Sequence, residues 1–164
     1  MKVSIITVVY NNEDTIAECI ESVFSQTYHD IEYIIIDGNS TDGTKEKIKP
    51  YLDRIDCFIS EPDSGIFDAY NKGIKWATGD VVGILNSDDF FHSERTIEKI
   101  VKAFDVSGSD LVYGKGVFVS KDNPNLIKRI YPSNPFKNSH LFFGWIPLHP
   151  TIYVKRKVYE EFGL

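Results

Sequence analysis

The feature that most constrains the fold is a set of four short apolar runs, rich in β-branched residues, separated by segments with helical periodicity. The runs begin at Val3, Ile31, Cys57 and Val81. Such runs are typical of strands that are covered on both faces, and strands that alternate with helices predict a parallel sheet. The predicted fold class is therefore α/β, with a Rossmann-like, mostly parallel central sheet flanked by helices.

The spacing of apolar residues also gives approximate bounds for each element. The predicted strands span residues 3–10, 31–36, 57–60 and 81–85, and the predicted helices span 16–26, 45–52, 66–77 and 94–104. After Gly108 the pattern changes, and Pro132, Pro135, Pro147 and Pro150 exclude long helices there. Strands are predicted at 110–119, 126–131 and 151–154, followed by a helix at 156–162. Because the sequence stops directly after this helix, we expect a truncated domain.

Composition bounds the function classes. The 164 residues carry a net charge of −6, which argues against a nucleic-acid-binding protein. The charge is uneven, since residues 1–110 hold 10 basic and 21 acidic side chains and residues 111–164 hold 8 and 3. Cys19 and Cys57 have no metal-ligand spacing, and no apolar run is long enough to be a signal or a membrane span. A cytoplasmic protein in a reducing compartment is the expectation.

Two adjacent carboxylates, Asp88 and Asp89, come directly after the strand at 81–85. In open α/β sheets, ligands bind at the carboxyl ends of the strands, where we expect Tyr10, Asp37 and this pair to meet. Neighbouring carboxylates repel each other, and their hard oxygens suit Mg²⁺ or Mn²⁺ carrying a phosphorylated ligand. The alternative from the dipeptide alone is that Asp88 caps the next helix and Asp89 is solvated.

Five motifs occur in a fixed order along the chain. They are Ile-Thr-Val-Val-Tyr-Asn at 6–11, Ser-Gln-Thr at 25–27, Asp-Gly-Asn-Ser-Thr-Asp-Gly-Thr at 37–44, Asn-Lys-Gly-Ile with Ala-Thr-Gly-Asp at 71–80, and Leu-Asn-Ser-Asp-Asp at 85–89. Together they resemble the family 2 glycosyltransferases, which have the GT-A fold. The stretch 60–74 resembles the bacterial branch that builds surface polysaccharides such as colanic acid.

The resemblance implies an inverting transferase that uses a nucleotide-diphosphate sugar, with UDP or GDP as the nucleotide, and Mg²⁺ or Mn²⁺. Residues 1–110 would bind the nucleotide sugar, and residues 111–164 would begin the acceptor-binding half of the same domain. The residues that the resemblance assigns to the nucleotide sugar are Thr7, Tyr10 and Asn11 around the base, Asp37 at the base or ribose, Asp88 near the ribose or a metal-bound water, and Ser87 beside it. Asp89, with Asp88, would ligate the cation.

The sequence departs from the family pattern at two positions. Many relatives have a second acidic residue after the first, where this chain has Gly38, and many have an arginine where this chain has Tyr70. Lys72 is therefore a candidate for the positive charge that faces the diphosphate, with a solvated lysine as the alternative. Asp63 and Asp68 are expected to flank the same edge of the pocket, with Asp68 among the residues that would bind the nucleotide sugar.

The acceptor side is less defined. Inverting transfer needs a carboxylate base, and residues 111–164 contain only Asp122, Glu160 and Glu161, none in a matching motif. The base is therefore expected beyond Leu164. His149 is a candidate for the acceptor side or the metal, with a structural histidine as the alternative. The basic C-terminal third suits an anionic acceptor, such as a lipid-linked saccharide at the inner membrane face.

Two other functions compete with this interpretation. A sugar-phosphate nucleotidyltransferase would have a similar sheet, but no glycine-rich phosphate loop follows the first strand. A non-catalytic nucleotide- or partner-binding module, such as a receiver-like domain, would have an acidic pair after that strand, where Asn11 and Asn12 lie.

Overall fold

A computed structural model describes residues 1–120, 123–137, 139, 142, 144 and 146–164. Its centre is a six-stranded sheet with the order β3-β2-β1-β4-β8-β5. The strands are β1 (Val3–Val9), β2 (Ile31–Asp37), β3 (Cys57–Ser60), β4 (Val81–Ile84), β5 (Leu111–Tyr113), β6 (Gly116–Ser120), β7 (Asn123–Tyr131) and β8 (Ile152–Lys155). Strands β1 to β4 pair in parallel, as the alternating pattern predicts.

The helices cover both faces of this sheet. They are α1 (Ile16–Phe24), α2 (Thr44–Ile48), α3 (Ile66–Trp76), α4 (Thr96–Ser107) and α5 (Arg156–Phe162). Helices α1, α2 and α4 bury their apolar sides in a cluster on one face, and α3 packs on the other face with a partly buried side chain of α5. The α/β prediction with a mostly parallel sheet flanked by helices is therefore confirmed.

The second predicted helix is shorter than expected. Its α-helical part ends at Ile48, and a 3₁₀ helix continues over Lys49–Arg54. Pro50 explains the change, because proline has no amide hydrogen to donate and its ring clashes with the carbonyl four residues earlier. The fourth helix also begins at Thr96, two residues later than predicted.

The single strand predicted at 110–119 is wrong. The chain forms two strands there, and β6 leaves the central sheet to pair with β7 in a separate two-stranded sheet. Gly114 lies at the break, where its amide donates to the carbonyl of Thr151 at 3.1 Å. A single run of alternating residues therefore serves two sheets.

Strand β8 lies antiparallel between β4 and β5, so strands from both sides of position 110 share one sheet. The contact with β4 is close at Gly83, where a Cβ would lie 2.2 Å from Cε1 of the buried Tyr153 ring. Among the described residues, no helix has the length and apolar character needed to cross a bilayer.

Candidate active site

An open cleft of about 440 Å³ lies at the carboxyl edge of the parallel strands. The residues that line it come from the end of β1, the loop before α3, the start of α3 and the loop after β4. They are Val8, Val9, Tyr10, Asn11, Asn12, Asp63, Ile66, Ala69, Asn86, Ser87 and Asp88. Tyr10 is 64% exposed although it directly follows a fully buried strand, so its ring offers an apolar face to a ligand.

The backbone turns sharply after Tyr10. Asn11 has a φ of 48°, in the left-handed region that asparagine tolerates better than most residues. Its side-chain oxygen accepts from the amide of Thr41 at 2.8 Å, and its own amide donates to the hydroxyl of Ser40 at 2.8 Å. These bonds fix the end of β1 against the loop after β2, which holds the Tyr10 ring at the mouth of the cleft.

The loop that carries the two adjacent carboxylates is also tied to the first strand and helix. The Asn12 side-chain amide donates to the Ser87 hydroxyl at 2.9 Å. The Thr15 hydroxyl donates to the carbonyl of Ser87 at 2.8 Å. Both bonds connect segments more than 70 residues apart in the chain, and they place Asp88 on the cleft wall beside the end of β1.

Asp89 is a partly buried carboxylate with little compensation. Among the described residues, its single hydrogen bond comes from the side-chain amide of Asn86 at 3.4 Å. Burial and the neighbouring charge of Asp88 raise the pKa of Asp89 to about 6. A carboxylate whose charge is disfavoured in this way gains from a nearby cation.

The donor set at this position fits a hard divalent cation. Asp88 and Asp89 supply carboxylate oxygens, the ligand type that Mg²⁺ and Mn²⁺ prefer. No group of three histidine, cysteine or acidic residues that could hold a metal ion occurs in the described part of the chain. Two carboxylates suit a cation that takes its other ligands from phosphate oxygens and water.

Tyr70 and His149 form the wall beside this pair. Their rings are stacked, with centroids 5.3 Å apart and planes at 25°. The Tyr70 hydroxyl donates to the side-chain oxygen of Asn86 at 2.8 Å, and Asn86 in turn donates to Asp89. Partial burial lowers the pKa of His149, which favours a neutral imidazole. His149, the predicted acceptor-side histidine, is therefore connected to Asp89 by contacts that run through Tyr70 and Asn86.

The structure does not bring two predicted residues to the cleft surface. Thr7 is fully buried, because strand alternation points it toward α1, where its hydroxyl lies 3.0 Å from the hydroxyl of Tyr33. Asp37 is also fully buried, and its carboxylate accepts from the hydroxyls of Ser40 at 2.5 Å and Ser60 at 2.6 Å. In this conformation Asp37 braces the loop after β2, so its role at the base or ribose stays a prediction.

Asp68 and Lys72 form a brace on the loop before α3. The Lys72 ammonium donates to the carbonyl of Pro62 at 2.8 Å and lies 3.0 Å from the carboxylate of Glu61 and 3.5 Å from that of Asp68. Asp68 also accepts from the amide of Ser64 at 3.0 Å. These contacts occupy both side chains with the loop, so a role at the diphosphate stays a prediction.

Three cleft residues carry interactions that the motifs did not assign: Asn12, Asp63 and Asn86. Asn12 follows the first-strand motif and Asn86 lies within the last one, so their positions beside assigned residues could have indicated them. The sequence placed Asp63 at the pocket edge without a role. The missing side chain at Gly38 could have pointed to it, because a glycine there leaves space for another group.

The carboxylates of the C-terminal segment give no base. Glu160 pairs with Arg156 within α5, Glu161 is exposed, and Asp122 lies outside the described residues. The catalytic base is therefore not assigned to a described residue.

Comparison with known proteins identifies the family. The sequence profile of glycosyl transferase family 2 matches residues 4–161, nearly the whole chain. The chain belongs to this family. Family membership argues against the nucleotidyltransferase and receiver-like alternatives.

Named relatives agree with this assignment. EpsE of Bacillus subtilis, a protein named as a glycosyltransferase, is 36% identical over 169 residues, which cover 98% of this chain and 60% of that protein. WfaP of Escherichia coli, named as a UDP-Glc:alpha-D-GlcNAc-diphosphoundecaprenol beta-1,3-glucosyltransferase, is 40% identical over 99 residues, which cover 60% of this chain and 39% of WfaP.

Solved structures share the fold of this family 2 chain. Residues 1–349 of Staphylococcus aureus TarS, in complex with UDP-GlcNAc, superpose with a TM-score of 0.78 at 23% identity, over 98% of this chain and 47% of that TarS chain. The mannosyltransferase PcManGT of Pyrobaculum calidifontis, in complex with GDP-Man and Mn²⁺, has a TM-score of 0.74 at 20% identity, over 99% of this chain and 46% of PcManGT. The chain spans about half the length of these structures. It spans 60% of EpsE and 25% of GlyA, a glycosyltransferase of Streptococcus pneumoniae to which it is 24% identical.

Proposed function

We propose that this family 2 glycosyltransferase domain binds a UDP- or GDP-sugar in its cleft and serves transfer of the sugar to a saccharide or lipid-linked saccharide acceptor in surface polysaccharide synthesis. One observation carries the proposal. The exposed Tyr10 ring and Asp88 line one cleft at the carboxyl edge of the parallel sheet, and the poorly compensated Asp89 carboxylate follows Asp88 directly. An aromatic face and a cation site together match a nucleotide diphosphate.

In this arrangement the base stacks on the Tyr10 ring at one end of the cleft. Asn11, Ser87 and Asp88 line the same cleft as the ring and would face the ribose. Asp89, with Asp88, would hold Mg²⁺ or Mn²⁺, which would neutralise the diphosphate as it leaves. The solved structures of TarS with UDP-GlcNAc and of PcManGT with GDP-Man and Mn²⁺ support a ligand of this class by similarity of fold.

The proposal for the acceptor rests on the charge of the C-terminal residues. Residues 111–164 carry a net charge of +5, which would favour an anionic acceptor and an anionic membrane surface. The name of WfaP describes a diphosphoundecaprenol-linked acceptor, which supports a lipid-linked acceptor here by sequence similarity. His149, stacked on Tyr70 beside the carboxylate pair, would face the acceptor. An inverting course of the reaction is part of the proposal.

Calorimetric titration of the chain with UDP and with GDP, each with and without Mn²⁺, tests the proposal. We expect one nucleotide to bind in a Mn²⁺-dependent manner. Asp89→Ala should abolish that binding, because the variant removes the most buried ligand of the cation. Asp105→Ala removes an exposed carboxylate from α4, away from the cleft, and is the matched control that should bind as the native chain does.

Stability measurements separate a lost ligand from a lost fold. Asp89→Ala should unfold in urea at a concentration no lower than the native chain, because the variant relieves a repulsive charge pair. Equal Mn²⁺-dependent affinity in Asp89→Ala and the native chain would refute the cation site. Absence of binding by the folded native chain would refute the proposed donor site.

A further inference from the structure

Gly38 follows the buried Asp37, and the space that a side chain at Gly38 would fill is occupied by another residue. A Cβ at Gly38 would lie 2.6 Å from Oδ2 of Asp63 and 3.3 Å from Cδ2 of the Tyr10 ring. Gly38 is not among the glycines with positive φ, so its backbone would accept a side chain. The glycine is therefore explained by the Asp63 carboxylate that fills the space above it, next to Tyr10.

Hydrogen bonds within its loop hold the Asp63 carboxylate in this place. Its Oδ1 accepts from the amide of Gly65 at 3.0 Å. The loop itself is fixed at Pro62 by the Lys72 ammonium, and at Glu61 by an amide that donates to the carbonyl of Asp37 at 3.0 Å. The carboxylate is thus positioned before any ligand arrives.

The second oxygen of Asp63 remains available to a ligand. No residue in the described part of the chain donates a hydrogen bond to Oδ2, although the side chain lines the cleft. Both this oxygen and Cδ2 at the edge of the Tyr10 ring lie within 3.3 Å of the position that a Cβ at Gly38 would take, so the edge of a base stacked on that ring would come near the oxygen. A carboxylate is only an acceptor when ionised, so it pairs with a donor and repels a lone pair.

We propose that Asp63 selects the base of the nucleotide, by accepting a hydrogen bond from a ring N–H of the base that stacks on Tyr10. This inference rests on the proposed function, and it defines the base class. Uracil and guanine present a ring N–H at that edge, whereas cytosine and adenine present a ring nitrogen with a lone pair. UDP should therefore bind more tightly than CDP, and GDP more tightly than ADP.

The expected discrimination follows from the cost of a mismatched polar pair. A hydrogen bond to a charged acceptor, replaced by a lone pair facing the same charge, changes affinity by about 10- to 100-fold. UDP and CDP have bases of nearly equal size and the same phosphates, so a comparison of their affinities isolates this hydrogen bond from the stacking and phosphate contacts. The ratio of the UDP and CDP affinities is therefore the quantity to measure.

The test is calorimetric titration of the native chain, Asp63→Asn and the double variant Gly38→Asp/Asp63→Gly with UDP, CDP, GDP and ADP in the presence of Mn²⁺. In Asp63→Asn, the side-chain oxygen can keep the bond to the Gly65 amide, so the amide NH₂ takes the place of Oδ2. We expect the UDP-to-CDP affinity ratio to fall at least about tenfold, because a donor now faces the base edge. The double variant moves the carboxylate to position 38 and should restore the preference for UDP.

Asp68→Asn separates base selection from support of the loop. Asp68 braces the same loop through the Ser64 amide but does not line the cleft, so this variant should change all affinities in parallel and leave the ratio unchanged. A ratio in Asp63→Asn within twofold of the native value, with nucleotide binding retained, would overturn the role of Asp63 and leave the proposed function intact. Absence of nucleotide binding by the native chain would overturn both.

Discussion

Glu32 joins three segments of the chain on the edge of the sheet opposite to the cleft, and its replacement by glutamine should destabilise the fold in a pH-dependent way. The carboxylate is 7% exposed and accepts from the Lys2 ammonium at 2.7 Å and the Ser4 hydroxyl at 2.5 Å. It also accepts from the amide of Thr78 at 2.7 Å and the hydroxyl of Thr78 at 2.5 Å. These bonds tie β1 and β2 to the loop that connects α3 with β4.

The magnitude follows from the pKa of this group. Burial raises the pKa of Glu32, but hydrogen bonds from Lys2, Ser4 and Thr78 outweigh it and lower the pKa from 4.5 to about 2. A lowering of that size corresponds to at most about 3.4 kcal/mol of stability. Because the Lys2 side chain is 39% exposed, solvent screens its contribution, and we expect about 2 kcal/mol for Glu32→Gln at pH 7.

The pH dependence has a defined sign. Native Glu32 stays ionised down to about pH 2, whereas the unfolded carboxyl takes up a proton near pH 4.5. The unfolded state therefore binds more protons in this range, and the contribution of Glu32 is lost as the pH falls from about 5 to about 2. From these two pKa values, more than half of the contribution is lost by about pH 3.

Urea unfolding followed by circular dichroism at pH 7, 5, 4 and 3 measures this effect. The difference in unfolding free energy between the native chain and Glu32→Gln should be largest at pH 7 and shrink toward pH 3. Glu18→Gln, which changes an exposed glutamate on α1, should stay close to the native chain throughout. A difference for Glu32→Gln that is constant over this range, or below about 0.5 kcal/mol at pH 7, would refute the reasoning.

Two further substitutions test the packing under the site and the site itself. Gly73→Ala should destabilise the chain by about 1–3 kcal/mol, because the new Cβ would lie 2.3 Å from Cγ2 of the fully buried Ile6. Thermal or urea unfolding measures this effect, and a neutral or stabilising result would contradict the contact. Tyr10→Ala should weaken nucleotide binding about tenfold or more, whereas Tyr10→Phe should keep most of the affinity. The free energy of unfolding should stay unchanged in both, because the ring is 64% exposed. Equal losses of affinity in the two variants would argue against stacking.

Much of the fold could be predicted because local patterns decide it. The third strand and the last helix have the predicted bounds, and the parallel pairing of β1 to β4 follows from the alternation of strands and helices. The split of 110–119 could not be predicted, since β6 pairs with β7 through contacts that no local pattern records. The position of β8 between β4 and β5 is likewise a consequence of distant pairing.

The site shows the same division between local and distant causes. Tyr10, Asn11, Ser87 and Asp88 line the cleft because each follows a strand end, which the sequence marks. Asp37 also ends a strand, but its register opposite Ser60 on β3 provides a hydroxyl that holds the carboxylate inward. Strand-end residues can therefore be recognised from sequence, whereas the direction of their side chains depends on the neighbouring strand.

The base-facing role proposed for Asp63 depends on a contact between two loops. Gly38 and Asp63 are 25 positions apart in the sequence, and only the structure places the carboxylate of one above the backbone of the other. The sequence shows only that Gly38 departs from the two-acid pattern of the family, and it does not show which residue fills the space.

A crystal of the chain with UDP or GDP and Mn²⁺, with anomalous diffraction recorded for manganese, tests the central claim most directly. We expect one anomalous peak within coordination distance of an Asp89 carboxylate oxygen and of the nucleotide diphosphate, with the base against the Tyr10 ring. A peak away from Asp89, or a nucleotide whose base lies elsewhere on the molecule, would contradict the assignment of the cleft as the nucleotide-sugar site.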